Sequence, residues 1–138
     1  MKALIIGGGM AGPVTAMALA RAGIDSTVYE AYDRSADGVG AFLTLAVNGM
    51  AALRAIGLSD TVRDKGFATP KMVASMGDGR TLAEFPFGDP LPDGTTNQSI
   101  TRAALYGALR DEAVRRGVQI EYGRRLVAAE STPDGVVA

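Results

Sequence analysis

Three glycines and one carboxylate carry the first chemical signal in this chain. Gly7, Gly9 and Gly12 form G-x-G-x-x-G directly after the apolar run Ala3–Ile6, and Glu30 ends the next apolar stretch, Thr27–Tyr29. In this pattern the first glycine permits a tight turn out of a strand. The second lets the backbone approach a pyrophosphate, and the third lets a helix pack closely on the strand. A helix starting there offers free N–H groups and the positive end of its dipole to phosphates. A carboxylate at the end of the second strand accepts hydrogen bonds from ribose hydroxyls and favours a 2′-hydroxyl over a 2′-phosphate. The chemistry implied is dinucleotide binding. NAD and FAD both satisfy it, and this stretch leaves both open.

The pattern has meaning only if strand, turn, helix and strand follow in order, since 18 glycines in 138 residues also produce chance matches. Lys2–Glu30 supplies that order. Pro13 suits a first helical turn, where its missing N–H does no harm. Ala16, Leu19 and then Gly23 continue the helix to its stop. One Lys, an apolar run and Ala-Leu-Ala also resemble a secretory signal, but three consecutive glycines break the run.

Composition narrows the remaining chemistry. With 47% hydrophobic and 21% charged residues and a net charge of −1, the chain is an ordinary globular protein with no basic surface for nucleic acid or anionic membrane. It has no Cys and no His. Disulfides, thiol nucleophiles, common zinc sites and His-based acid–base pairs are therefore excluded within it, and a cytoplasmic location is expected. Asp33, Asp37 and Glu84 are isolated carboxylates read as surface groups. Arg34 is read the same way, with a contact to ribose or NAD(P)H as the alternative. No residue has the profile of an acid–base catalyst, and no metal site is expected.

Beyond Glu30, residues 31–38 read as a polar turn and 39–47 as an apolar segment. Asn48 is expected to cap a helix over 49–56 closed by Gly57, followed by a short helix over 58–65 with Leu58 and Val62 inward. Residues 72–76 and 80–85 read as a hairpin around Gly77-Asp78-Gly79. Met72, Met76, Phe85 and Phe87 are expected to be packing residues of a sheet, with a substrate pocket as the alternative. Residues 86–98 read as a loop. Thr101 caps a helix to Arg116, with Leu105, Ala108, Leu109 and Ala113 as its buried stripe and Gly117 as its stop. Strands are expected over 118–122 and 125–130, and a third begins at Val136. With that last strand barely begun at Ala138, the chain is expected to be an N-terminal piece completed by a C-terminal remainder or a complementary chain.

Three further segments join the fingerprint: residues 38–49 (GVGAFLTLAVNG), 100–105 (ITRAAL) and 122–126 (YGRRL). In this order and spacing they resemble the single-component FAD-dependent aromatic hydroxylases, the para-hydroxybenzoate hydroxylase-like flavoprotein monooxygenases. The resemblance covers essentially the whole chain. It implies an α/β fold: a Rossmann-like FAD-binding βαβ core with an inserted β-hairpin, forming an incomplete domain. Residues 1–66 and 101–138 would belong to the FAD-binding domain, and 67–100 would begin a substrate-binding sheet. The resemblance places Gly7, Gly9 and Gly12, with the backbone of Met10 and Ala11, on the FAD pyrophosphate. Glu30 would take the adenosine ribose, with Ala31 beside it. Gly40, Ala41 and Thr44 would run along the ribityl chain and isoalloxazine edge. Arg102 would reach ribityl or phosphate oxygens, and the backbone at Leu126 would meet the adenine.

The implied reaction is reduction of FAD by NAD(P)H, formation of a C4a-hydroperoxide with O₂, and oxygen transfer to an aromatic or related small molecule. Val47 stands where the family often has Pro, which concerns only the entry to a short helix. The family's later motifs, which contact flavin and NAD(P)H, fall beyond residue 138. The chain by itself is thus expected to bind FAD weakly or not at all and to be inactive. Alternatives are another FAD oxidoreductase of the same fold, such as a halogenase or reductase, and a non-catalytic dinucleotide-binding module.

Overall fold

The computed structural model describes residues 1–35 and 40–138. Asp37, Gly38 and Val39, to which the sequence assigns a surface carboxylate and the start of an apolar segment, lie outside the described residues. Along the chain the elements are β1 (Lys2–Ile6), α1 (Ala11–Arg21), β2 (Asp25–Tyr29), β3 (Phe42–Leu45), α2 (Val47–Ala55) and α3 (Ser59–Arg63). Then come β4 (Phe67–Ala68), β5 (Lys71–Ser75), β6 (Thr81–Pro86), β7 (Gln98–Thr101) and α4 (Arg102–Arg115). The chain closes with β8 (Gln119–Glu121), β9 (Glu130–Thr132) and β10 (Gly135–Val137). Two compact units are formed: Met1–Asp37 with Leu109–Ala138, and Gly38–Ala108.

The first unit is the α/β element foreseen from the glycines. A parallel sheet has the order β1-β2-β8, with Lys2 opposite Asp25 and Tyr29 opposite Glu121. Helix α1 makes the crossover between β1 and β2 and buries Gly12, Pro13, Ala16 and Met17. Small residues on that face let the helix lie close to the sheet, where Val28 is fully buried. Gly23 closes the helix turn at φ 73°, a conformation glycine adopts without steric cost. Burial of Met17 alone is worth roughly 1.5–3 kcal/mol. The expected strand over 125–130 does not form: residues 124–129 are irregular, and Val127 is almost fully exposed. Among the described residues no strand forms a ladder with 125–129, and an apolar run without a ladder partner has no reason to become a strand. The strand signal shifts instead to the β9–β10 hairpin around Pro133-Asp134.

In the second unit β3, β7 and β4 form an antiparallel sheet with β7 in the centre. The sequence places residues 86–98 in a loop and misses both β4 and β7. Strand β7, Gln-Ser-Ile-Thr, lacks apolar alternation, yet Gln98, Ser99 and Ile100 are all buried. Polar groups satisfied by neighbouring strands need no apolar pattern: the Ser99 hydroxyl lies 3.2 Å from that of Thr44 and 2.7 Å from that of Thr69. Helices α2 and α3 bury Met50, Leu53 and Val62, and Leu58, just before α3, is buried with them.

The expected Asn48 cap is also corrected. Helix α2 begins two residues earlier, at Val47, and Asn48 folds back on its neighbour Gly49 N–H. The free Val47 N–H donates instead to the Asn97 side chain at 2.8 Å, fifty residues away in sequence. The β5–β6 hairpin forms as expected, with Met72 opposite Phe85 and a bulge at Ala74/Ser75. Its Met72, Met76 and Phe85 are 41–44% exposed rather than packed, because among the described residues β5 and β6 pair only with each other.

Candidate functional site

The strand-to-helix turn in the first unit is built from backbone. Gly7, at φ 106°, leaves β1 with its N–H still donating to Tyr29 O at 2.8 Å, so it extends the ladder by one step. Gly12 sits where α1 crosses that turn. A Cβ on Gly12 would lie 2.0 Å from the Gly7 carbonyl oxygen and 3.4 Å from Val28 Cγ1. The third glycine is therefore fixed by packing alone. Gly9 differs: its φ is not positive, and a Cβ there would meet nothing within 4 Å. The fold gives no reason for a glycine at that position, and open space beside the backbone is what a ligand approaching there requires.

The helix end points the same way. Met10 precedes α1 with no side-chain cap, and the first turn carries no acidic residue. No side chain of the cap competes for the N-terminal N–H groups, and no carboxylate neutralises the dipole end.

Glu30 is brought onto the same turn. Its carboxylate accepts the Gly8 N–H at 2.7 Å through one oxygen and the Tyr32 N–H at 3.0 Å through the other. A Cβ on Gly8 would lie 3.0 Å from Glu30 Cβ, so the middle glycine of the Gly7-Gly8-Gly9 run is what admits this contact. Sequence reasoning assigned no role to Gly8; its signal, a third adjacent glycine, was hidden inside the motif. Each Glu30 oxygen keeps a second lone pair for another donor. Ala31 follows, half-buried. Glu30 N–H donates to Glu121 O at 2.8 Å, and Arg124 N–H donates to Glu30 O at 2.7 Å. These bonds carry the segment after β8 alongside Glu30. Leu126, in that segment, borders a cleft of about 310 Å³ shared with Ile6, Tyr29, Arg124 and Arg125.

In the second unit the structure brings together the other expected residues. Gly40 adopts φ 100°, and a Cβ there would lie 2.8 Å from Arg102 Cδ, so the arginine side chain lies across this glycine. Arg102 N–H donates to Ala41 O at 2.9 Å, continuing the β3–β7 pairing of Phe42 with Thr101. Thr101 caps α4 through its hydroxyl, which accepts the Ala104 N–H at 3.2 Å. Thr44 and Phe42 share the exposed face of β3. Arg102 is exposed in the first turn of α4, where a cation gains nothing from the helix dipole.

Asp33, Arg34 and Glu84 are exposed, and Glu84 pairs with Lys71 at 2.7 Å. Among the described residues no group of His, Cys, Asp or Glu is placed to hold a metal ion. Nor, among them, is any helix long and apolar enough to cross a membrane.

Residues 1–138 match the family described as FAD binding domain. The chain belongs to that family. It is 32% identical over 139 residues to an FAD-dependent urate hydroxylase of Klebsiella pneumoniae, with 99% of this chain and 35% of that protein covered. It is 34% identical over 135 residues to a 3-amino-4-hydroxybenzoate 2-monooxygenase of Streptomyces platensis, covering 96% and 33%. Among solved structures, Klebsiella pneumoniae HpxO complexed with FAD and uric acid superposes with a TM-score of 0.80 at 29% identity, covering 99% of this chain and 34% of that one. A 2-methyl-3-hydroxypyridine-5-carboxylic acid oxygenase gives 0.79 at 27%, covering 99% and 36%. The chain thus spans about a third of the length of these relatives, with the mixed α/β fold of flavoprotein monooxygenases.

Proposed function

We propose that this chain is the N-terminal FAD-binding portion of an NAD(P)H- and O₂-dependent flavoprotein monooxygenase. The observation that carries the reading is the turn at Gly7–Gly12. It has an uncapped helix end, an unfilled side at Gly9 and a carboxylate already held at Glu30. These residues fit a dinucleotide whose pyrophosphate lies along Gly9, Met10, Ala11 and Gly12. Its ribose hydroxyls would donate to the free lone pairs of Glu30, with Ala31 alongside, and the backbone at Leu126 would meet the base. Gly40, Ala41, Thr44 and Arg102 would serve the flavin half: the glycine and alanine by close backbone approach, Arg102 by charge on ribityl or phosphate oxygens.

Bound FAD would supply hydride acceptance from NAD(P)H and activation of O₂; the residues in hand bind and orient it. In this reading 1–66 and 101–138 serve the cofactor, and 67–100 begin the substrate-binding element. The exposed apolar residues of the β5–β6 hairpin await the rest of that element. The substrate class is a hydroxylated or otherwise electron-rich aromatic ring, as in the names of the relatives, and the location is cytoplasmic. Completion by a C-terminal remainder or complementary chain belongs to the same reading.

The test is spectral. The purified intact protein should show flavin absorbance that NAD(P)H bleaches and air restores, with hydroxylated product formed from a matching aromatic compound. A colourless protein that FAD does not reconstitute would sink the reading. Gly9→Ala sharpens it: the thermal midpoint should stay in place while FAD affinity falls about tenfold or more, equivalent to roughly 1.4 kcal/mol per factor of ten.

A further inference from the structure

Asn48, without the capping task its sequence position suggests, has a different chemistry open to it. The residue is exposed, and its side-chain oxygen accepts the N–H of the next residue, Gly49, at 2.8 Å. That oxygen is one bond from the amide carbon, so the electrophilic Cγ of Asn48 lies beside the backbone nitrogen of Gly49. The nitrogen also stands outside the ladder of α2. Met50 N–H is the first to reach back, to Ala46 O at 3.0 Å, and N–H groups before it have no intrahelical acceptor. Residue 49 cannot shield its nitrogen with a side chain. A Cβ on Gly49 would lie 2.8 Å from Leu45 Cδ1, so the packing of Leu45 favours glycine there.

We infer that Asn48–Gly49 is a site of spontaneous deamidation through a succinimide, yielding aspartate and isoaspartate at position 48. Hydroxide removes the Gly49 N–H proton, and the nitrogen attacks Cγ of Asn48. The new N–Cγ bond closes a cyclic imide, and the side-chain nitrogen leaves as ammonia with a proton from water. Water then opens the ring at either carbonyl, giving the two acids. The sum is amide plus water to acid plus ammonia, with no change of oxidation state. Ring closure needs a rotation of the Asn48 backbone out of helical geometry. Asn48 lies in the first turn of α2, where fraying lets the chain open most easily, and the negative charge produced is favoured at that helix end.

The structure separates this pair from its rivals. Asp-Gly pairs at 78–79, 93–94 and 134–135 carry carboxylates, whose charge deflects a nucleophile. The Gly79 and Gly94 N–H groups donate to Met76 O and Leu91 O, and the Asp78 and Asp93 side chains accept the Arg80 and Thr95 N–H groups. Asn97, the second asparagine, is buried, and its amide is held by Val47 N–H and Phe87 O.

The experiment ages the intact protein in mildly alkaline and in mildly acidic buffer. Peptide mass spectrometry reads conversion of each asparagine to acid, and an isoaspartyl methyltransferase with labelled S-adenosylmethionine reads isoaspartate. Acid should accumulate at position 48 several-fold faster in the alkaline buffer, Asn97 should stay an amide, and the methyl label should fall on the peptide holding 48–49. Asn48→Gln, whose longer side chain closes a ring far more slowly, should abolish both signals at that position. An amide at position 48 that survives ageing overturns the inference. Acid at 48 without methyl label also overturns it, since the ring would then not have formed, and so does a label that falls mainly on the Asp-Gly peptides. FAD takes no part in the assay, so its outcome is independent of the cofactor reading.

Discussion

Replacing Gly12 by alanine sets two effects of opposite sign against each other. Gly12 lies in the first turn of α1, and alanine there should gain up to about 1 kcal/mol in helix propensity. The added Cβ, however, would be 2.0 Å from the Gly7 carbonyl oxygen. A separation below 3.0 Å is essentially never tolerated, so one partner must retreat by about an ångström. Neither is a flexible side chain. Gly7 is tied to Tyr29 by its N–H, and α1 is held down by the buried Ala16 and Met17. Overpacking of this kind costs roughly 1–3 kcal/mol and sometimes more. With backbone on both sides the upper end applies, and the net expectation is a loss of about 2 kcal/mol. Gly9→Ala is the internal control, because its Cβ enters open space at a φ that is not positive. It should leave stability unchanged or raise it by about 0.4–1 kcal/mol through the unfolded chain. Urea unfolding of the two variants, with slopes equal to wild type, reads both values. If Gly12→Ala proves as stable as the wild type, the close crossing of helix on strand is wrong, and the packing account of the third glycine falls with it.

Three further outcomes follow from particular contacts. Glu30→Ala removes the acceptor of two backbone N–H groups, so it should cost about 1–3 kcal/mol even without FAD and weaken FAD binding besides; a variant of unaltered melting temperature would count against the clasp. Glu112, hydrogen-bonded by Arg115 and beside Arg116, is held down to about 2 from the usual carboxylate range. Its folded value is depressed, so its contribution is complete above about pH 4.5 and fades as pH falls toward 2. Glu112→Gln should flatten that part of the stability profile and cost of order 1 kcal/mol near neutrality, a figure reduced for the exposure of Arg115; an unchanged acid limb would refute this. The Thr27 hydroxyl is buried without a hydrogen-bond partner among the described residues, so Thr27→Val should raise the urea midpoint by an amount equivalent to about 1 kcal/mol, and a drop would show that a partner exists.

How legible the molecule was depends on the range of the interactions involved. The βαβ core could be read because Gly7, Gly12, Gly23 and the apolar runs are local signals, each fixed by its own few residues. Thr101 was read as a cap for the same reason, since its partner is Ala104 N–H. What failed was set at long range. Asn97 caps α2 from fifty residues away, and the nearer Asn48 drew the assignment because capping rules see only neighbours. Strand β7 is polar in sequence and buried in fact, with its Ser99 hydroxyl met by hydroxyls on β3 and near β4. The run 125–129 has strand-forming residues but no ladder partner among those described. Among the candidate site residues, the fingerprint was readable from spacing, whereas the approach of Arg102 to Gly40 depends on an antiparallel pairing that no local pattern announces.

The sheet of the first unit has a practical consequence. Among the described residues β1 has β2 as its one strand neighbour, so its other side presents a row of backbone donors and acceptors. Leu4 and Ile6, at 41% and 50% exposure, add an apolar face to that strand. Neither Pro nor a bulge interrupts it, and Lys2 is the single charge along it. Such an edge templates the addition of another extended chain. Expressed by itself, this polypeptide should self-associate through β1, and a lysine at position 4 would be the first change to make for handling it in solution.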